Sequence, residues 1–326
     1  MAMRRAATTC GNQLRSQTGI KNAAQGFVEN TGVTGEGFSA PFGVRHASRQ
    51  ILQQRMKSVG NIAKITAAMK MVAASRLRLA TVRAVESRGI WQPVARLLGD
   101  ATDADVPKNI TVPVTSDRGL CGGINSGIAK VTLNTQKVVA AMGSAENKSV
   151  SMVMIGEKGR TQMRKNLGNT YDSVIVDATK IPLTFNAAGL LADHILKTEF
   201  DAARIVFNKY KSAMSFQPTV ATVLSAAVYE KRCEATGMVD SYEMEGEDRS
   251  TLLVDIAEFQ LAAVLYNGML ENSASELGSR MAAMDSSTKN AQDMLSKLTL
   301  TYNRSRQAAI TTELIEIISG ASALEG

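Results

Sequence analysis

The sequence predicts an α+α/β fold, in which a long antiparallel coiled coil of the N- and C-terminal helices carries a small Rossmann-like α/β domain. Three observations lead there. Residues 48 to about 92 hold no Pro and place Ile62, Ile65, Met69, Val72 and Leu79 at spacings of three and four, a narrow apolar seam on one helix face. Residues from about Thr251 to Ser319 repeat the pattern, with Leu277, Met281, Met284, Thr288, Ala291, Leu295, Leu298 and Tyr302 in strict 4-3 order. Between the two, short β-rich runs alternate with helical stretches.

Both helices are too long to fold back inside a compact domain, so they are expected to pair with each other. Small residues such as Thr288 and Ala291 allow close approach, and the chain's 16 Met include Met69, Met281 and Met284 as adaptable seam contacts. Ser48 to Gly99 carries ten basic residues against one acid, Glu86, a face that is either simply solvated or turned toward acidic partner segments. In the middle zone the expected strands are Ile110–Thr115, Val150–Ile155, Tyr171–Asp177, Arg204–Tyr210 and Thr219–Val228. Helices are expected near Ile124–Met142, Gly159–Asn166 and Ala187–Lys197. Glu230 to Asp248, with seven acids and the breakers Gly237 and Gly246, reads as a polar loop. The domains are accordingly 1–47, 48–106, 107–250 and 251–326.

Composition narrows the function. The first 47 residues set Arg4, Arg5, Arg15, Lys21 and Arg45 against Glu29 and Glu36, with many Ala, Ser and Thr, the make-up of an organelle transit peptide. No apolar run in the sequence reads as a bilayer span, the longest candidate being Val220 to Val228. Without residues 1–47 the net charge falls from +7 to about +4, too little for a dedicated nucleic-acid binder. Cys10, Cys121 and Cys233 have no CxxC spacing, so neither a disulfide framework nor a zinc site is expected. His46 and His194 are the only histidines, and no Ser-His-Asp or Cys-His set can be proposed. The most enzyme-like motif is the glycine-rich turn from Thr115 through Asp117-Arg118-Gly119-Leu120-Cys121-Gly122-Gly123 to Asn125. It follows a strand and opens a helix, yet it lacks the Lys-Ser/Thr of a phosphate loop and the G-x-G-x-x-G of dinucleotide folds. No cofactor is expected.

Two strings about two hundred residues apart carry a family resemblance: Ile62-Ala63-Lys64-Ile65-Thr66-Ala67-Ala68-Met69-Lys70-Met71-Val72-Ala73-Ala74-Ser75, and Ile310-Thr311-Thr312-Glu313-Leu314-Ile315-Glu316-Ile317-Ile318-Ser319-Gly320-Ala321. The second fits Ile/Val-Thr-x-Glu-x-x-Asp/Glu-x-x-x-Gly-Ala at every specified position. From about residue 48 to the end the chain resembles the gamma-subunit family of F-type ATP synthases, including Glu276 to Gln307 and the Asp117–Asn125 turn, which binds no nucleotide in that family.

The resemblance implies a non-catalytic central-stalk rotor. In the family the paired helices stand inside a hexamer of three alpha and three beta subunits (α3β3), and the α/β domain forms a foot on the ring of c subunits, the c-ring. Delta and epsilon subunits complete the stalk. Hexamer contacts carry over to Met69 and Lys70 on the first helix and to Arg306, Gln307, Thr311 and Glu313 on the second. Contact with the c-ring carries over to Tyr242 and Glu243, although the residues around them depart from the family pattern. No nucleic acid is implied, and the membrane enters only through the c-ring. Plastid relatives carry an inserted Cys-pair segment that has no counterpart here; with the Arg-rich start, this places the expected protein on the matrix side of the mitochondrial inner membrane. Two rivals remain from the residues alone. A nucleotide-dependent α/β enzyme would need a correctly spaced phosphate turn, and a coiled-coil tether for an anionic surface would need an unbroken basic face.

The isolated chain is therefore expected to bind neither ATP nor NAD. Stoichiometric micromolar binding of either nucleotide in titration calorimetry would contradict this reading of the turn.

Overall fold

The computed structural model describes residues 42–99, 101, 104–141, 149–167, 171–178, 183–237 and 248–324. Contacts divide the chain into 1–50 and 51–326, and the account below concerns the second unit. The transit-peptide expectation for residues 1–47 falls almost entirely outside the described residues, as do Tyr242 and Glu243.

The first helix, α1, spans Phe42–Leu98. It continues past Pro93, beyond the expected end near residue 92, because the hydrogen bond lost there is only the one to the carbonyl of the exposed Gly89. The α/β domain follows as β1 (Lys108–Pro113), α2 (Ile124–Ala141), β2 (Ser149–Ile155), α3 (Glu157–Leu167), β3 (Ser173–Ile175), α4 (Phe185–Leu196), β4 (Ala202–Ser212) and β5 (Ser215–Leu224). A further helix, α5 (Ala226–Thr236), leads to α6 (Arg249–Leu324), whose 76 residues measure about 115 Å at the α-helical rise.

The sheet order is β3-β2-β1-β4-β5. The first four strands are parallel, as strand–helix–strand crossovers require, and β5 returns antiparallel from β4 through a hairpin. On one face Ile110, Val112, Ile205 and Phe207 pack against Ala188, Ala192 and Ile195 of α4 and Leu261, Leu265 and Met269 of α6. On the other, Met152 and Met154 lie under Ala129 of α2 and Met163 of α3.

Two expected elements were wrong. The run Thr219–Val228 is not a single strand, and Glu230–Asp248 is not all loop: the strand stops at Leu224, Ser225 turns the chain, and α5 occupies Ala226–Thr236. Tyr229 and Cys233, four apart, bury its inner face, the Tyr229 hydroxyl meets Gln260 Oε1 at 2.7 Å, and Gly237 closes the helix at φ 62°. The reading of bilayer-spanning potential also changes. By length and composition α6 is apolar enough to cross a membrane, but 61% of its apolar window is buried in the fold, which marks it as the core helix of the domain.

The helix pair is antiparallel. Thr66 meets Thr288, Lys70 meets Asp285, Ser87 meets Asn267 and Arg88 meets Glu271, so numbers fall along α6 as they rise along α1. On α6 the inward positions are those expected, Leu277 through Tyr302, all buried or half-buried. On α1 the expected seam is one residue out of register. Ile62, Ile65, Val72 and Leu79 are 51 to 59% exposed, and the inward stripe is instead Ala63, Thr66, Lys70, Ala73, Leu77, Ala80, Ala84 and Ser87, buried or half-buried apart from the exposed end of Lys70. That stripe also runs 4-3, but its small side chains are what allow α6 to lie close.

Enlarging the stripe should therefore hurt where trimming the exposed row should not. Ala73→Leu is expected to cost about 1–3 kcal/mol by overpacking, and Val72→Ala to change stability by less than about 0.5 kcal/mol, measured as denaturation midpoints of the purified chain.

Candidate functional site

The residues expected to bear on a surrounding assembly lie at two levels of the shaft. Met69 is half-buried beside the exposed Ile65 and Val72. Lys70 is engaged within the chain: its Nζ lies 2.6 Å from Asp285 Oδ1, and Lys289 Nζ lies 2.8 Å from the other oxygen of the same carboxylate. Arg306, Gln307 and Thr311 are exposed, with the Thr311 hydroxyl donating to the Gln307 carbonyl at 3.0 Å, and Glu313 is half-buried. Met69 stands opposite the Asp285 region of α6, so the two groups are separated by about 30 Å of helix. Beyond them the end of α6 presents Ile310, Leu314, Ile315, Ile317 and Ile318, each 47 to 69% exposed, on one broad face. A contiguous apolar face of this kind marks an interaction surface.

The glycine-rich turn is built as a bolt. Asn125 accepts from the Ser116 amide at 3.1 Å and donates to Ser116 Oγ at 2.7 Å, while Ser116 Oγ donates to the Arg118 carbonyl. Asp117 Oδ1 accepts from the amides of Glu157 and Asp177. Gly156, at φ 101°, lets its strand end press on Thr115, where a Cβ would stand 2.5 Å from the Thr115 carbonyl oxygen. The turn then reaches the shaft, since Ser279 Oγ donates to the Cys121 carbonyl and Arg280 Nη2 to the Gly119 carbonyl. Arg280 also pairs with Glu276, whose carboxyl is pushed up by burial against the opposing pull of that guanidinium. Burial likewise raises the Cys121 thiol, which leaves it protonated and inert at neutral pH. The polar groups named here are spent on holding the turn to itself, to α3 and to α6.

A second polar node was not anticipated from the sequence. Arg88 on α1 donates from Nε to Glu271 Oε1 at 2.6 Å and from Nη2 to the Tyr210 carbonyl at 2.9 Å, and the Tyr210 amide donates to Glu271 Oε2 at 2.7 Å. Glu271 is 1% exposed. Its signal in the sequence was the set of polar residues Asn267, Glu271, Asn272 and Ser275 inside an otherwise apolar stretch of α6.

Comparison with known proteins bears on this architecture directly. The family model described as ATP synthase matches residues 48–324. The mitochondrial ATP synthase subunit gamma of Ipomoea batatas is 53% identical over 289 residues, 87% of each chain. The chain belongs to the ATP synthase gamma-subunit family. The corresponding subunit of Arabidopsis thaliana is 52% identical over 288 residues, again 87% of each chain. Among solved structures, a chain of the Euglena gracilis mitochondrial ATP synthase OSCP/F1/c-ring assembly superposes with a TM-score of 0.75 at 22% identity, covering 86% of this chain and 95% of that one, which shows the shared fold. A gamma-family member needs a shaft and a foot, and α1 with α6 and the five-stranded domain supply both.

The ionic cluster on the shaft yields a pH prediction. Asp285 is held down to about 2, first by Lys289 and then by Lys70. A carboxylate with a depressed folded pKa stabilises the fold above its ordinary value of 3.8 and loses that contribution as pH falls toward about 2. Asp285→Asn is expected to lower the melting temperature slightly at neutral pH and to converge with the unaltered protein toward pH 2, which flattens the fall across that window; both effects are small because the pair is exposed. Equal acid sensitivity of the two proteins would show that the cluster contributes nothing.

Proposed function

We propose that this chain is the rotor shaft of a mitochondrial ATP synthase, lying on the matrix side of the inner membrane and coupling rotation of a c-ring to conformational cycling of catalytic beta subunits. It holds no catalytic group of its own in this reading. The observation that carries the proposal is the form of α6, which is buried by the sheet at its base, paired with α1 along its middle, and ends in an exposed apolar face of Ile and Leu. A free helix end of that kind is stable in water only inside a partner, and a ring of three alpha and three beta subunits supplies a sleeve. The likeness to stalk chains of mitochondrial assemblies supports the same partners, with the foot toward the c-ring and the delta and epsilon subunits beside it.

Hexamer contact is assigned to Met69 and Lys70 at the lower level and to Arg306, Gln307, Thr311 and Glu313 near the tip. Contact of Tyr242 and Glu243 with the c-ring rests on the family resemblance alone. Lys70 is already tied to Asp285, so at the lower level Met69 is the residue free to feel a passing partner. Affinity purification of the tagged chain from mitochondria should recover alpha, beta and c subunits in stoichiometric amounts, and their absence would overturn the reading.

Met69→Lys tests the bearing itself. A new ammonium beside an already basic helix, facing acidic partner segments, would gain about 1–3 kcal/mol of charge-assisted hydrogen bonding at one rotor angle. The variant complex is expected to hydrolyse ATP but to pump protons poorly, with a raised activation barrier; coupling equal to the unaltered complex would mean that Met69 does not face the hexamer.

A further inference from the structure

The foot is joined to the shaft unevenly. One helix, α6, runs unbroken from the domain to the tip, while α1 meets the domain at its C-terminal end alone, where Trp91, Val94, Leu97 and Leu98 pack against the domain core and Arg88 reaches Tyr210 of β4. A torque applied at the foot thus enters α6 directly. It reaches α1 through that packed end and, along the rest of the shaft, through whatever holds the two helices in step. Twisting a two-stranded coil makes its strands slide along each other, so a bond that blocks axial sliding at the base stiffens the pair as a unit.

Several polar bonds cross between the helices, at Thr66–Thr288, Lys70–Asp285 and Ser87–Asn267. Among the crossings between described residues, the one at Arg88 and Glu271 also takes in the sheet. Arg88, Glu271 and the main chain of Tyr210 form a closed ring of three hydrogen bonds, with Tyr210 near the end of β4. Around it the β4–β5 hairpin is laid along α6: Asn208 Nδ2 donates to Asn272 Oδ1 at 2.9 Å, Ser275 Oγ donates to the Asn208 carbonyl at 3.1 Å, and Gly278 lies so near Ala213 that a Cβ would stand 2.8 Å from its carbonyl oxygen. The guanidinium suits this position because its planar fork reaches a carboxylate and a carbonyl together, which a single ammonium does less well. Interdigitated apolar contact resists sliding only through its shape; a ring of directional bonds to buried groups adds a constraint on distance and angle.

We propose that Arg88, Glu271 and Tyr210 form the key that locks α1, α6 and the sheet against axial sliding, so that the foot turns both shaft helices as one body. The proposal rests on the rotor reading above and names positioning residues, none of which touches nucleotide.

The test uses the intact membrane-embedded complex with its beta subunits immobilised and a bead on the c-ring. In it the angular variance of the bead is read during catalytic dwells, and proton pumping per ATP is read in vesicles. Arg88→Lys keeps the charge but gives up the fork, and is expected to assemble, to hydrolyse ATP at the unaltered rate, and to raise the variance about twofold with a fall in pumping per ATP. Glu271→Gln, which loses the shared carboxylate, should go further in the same direction. Unchanged variance in both assembled variants would overturn the proposal, and so would failure of both to assemble, since the ring would then be part of the fold and not a stiffness element. If the unaltered complex does not rotate on ATP, the rotor reading itself fails; a rotating complex whose variants keep their stiffness removes the key alone.

Discussion

Close approach of two helices is the constraint on which the rest depends. A pair of single helices this long has no globular core to lean on, and its stability must come from a narrow line of contact. Bulky residues on both sides of that line would hold the axes apart and leave gaps too small for water, which forfeit dispersion on both walls. The chain places Ala63, Thr66, Ala73, Ala80, Ala84 and Ser87 on the α1 side, with Thr66 meeting Thr288, Ala84 packing with Leu270 and Ala274, and Ser87 meeting Asn267 of α6. The small residues of α1 let α6 come near the partner backbone, and the bonds Thr66–Thr288, Ser87–Asn267 and Arg88–Glu271 fix the antiparallel register.

This division of labour explains what could be read in advance. The α6 seam was legible because its inward residues are also its apolar ones. The α1 seam was misread by one position because the apolar pattern picks out Ile62, Ile65, Val72 and Leu79, which are exposed, and passes over Ala and Thr, which make the contact. Hydrophobicity marks what must be covered by something; in a chain whose partners are other subunits, that something need not be the chain itself. The central strands β1, β2 and β4 were legible to within a few residues for the opposite reason, as most of their residues are covered within the chain. Helix α5 was missed although Ser225, the Tyr229–Cys233 spacing and Gly237 were present, because the acids around them outweighed a short helix signal.

The polar nodes lay beyond the reach of periodicity. Arg88 and Glu271 are 183 positions apart, and neither stands out on its own helix until β4 is placed between them. Only the presence of Asn267, Glu271, Asn272 and Ser275 in an apolar stretch hinted that this part of α6 had polar work to do. The turn from Thr115 to Asn125 was legible as a motif, and the structure adds what its spacing left open: its groups bind one another, the domain and the shaft.

The two kinds of contact divide the shaft by height. Near the foot the helices are joined by buried hydrogen bonds and an ion pair, interactions with direction that cost free energy when displaced by even an ångström. Toward the tip α6 offers an apolar face, whose attraction depends on area covered and very little on angle. A body that must be gripped at one end and turn within a sleeve at the other needs this gradient. Were the order reversed, with directional bonds at the tip and apolar contact at the base, each rotor angle would be held by specific bonds to the sleeve, while the foot would slip against its own shaft before any torque reached the partners.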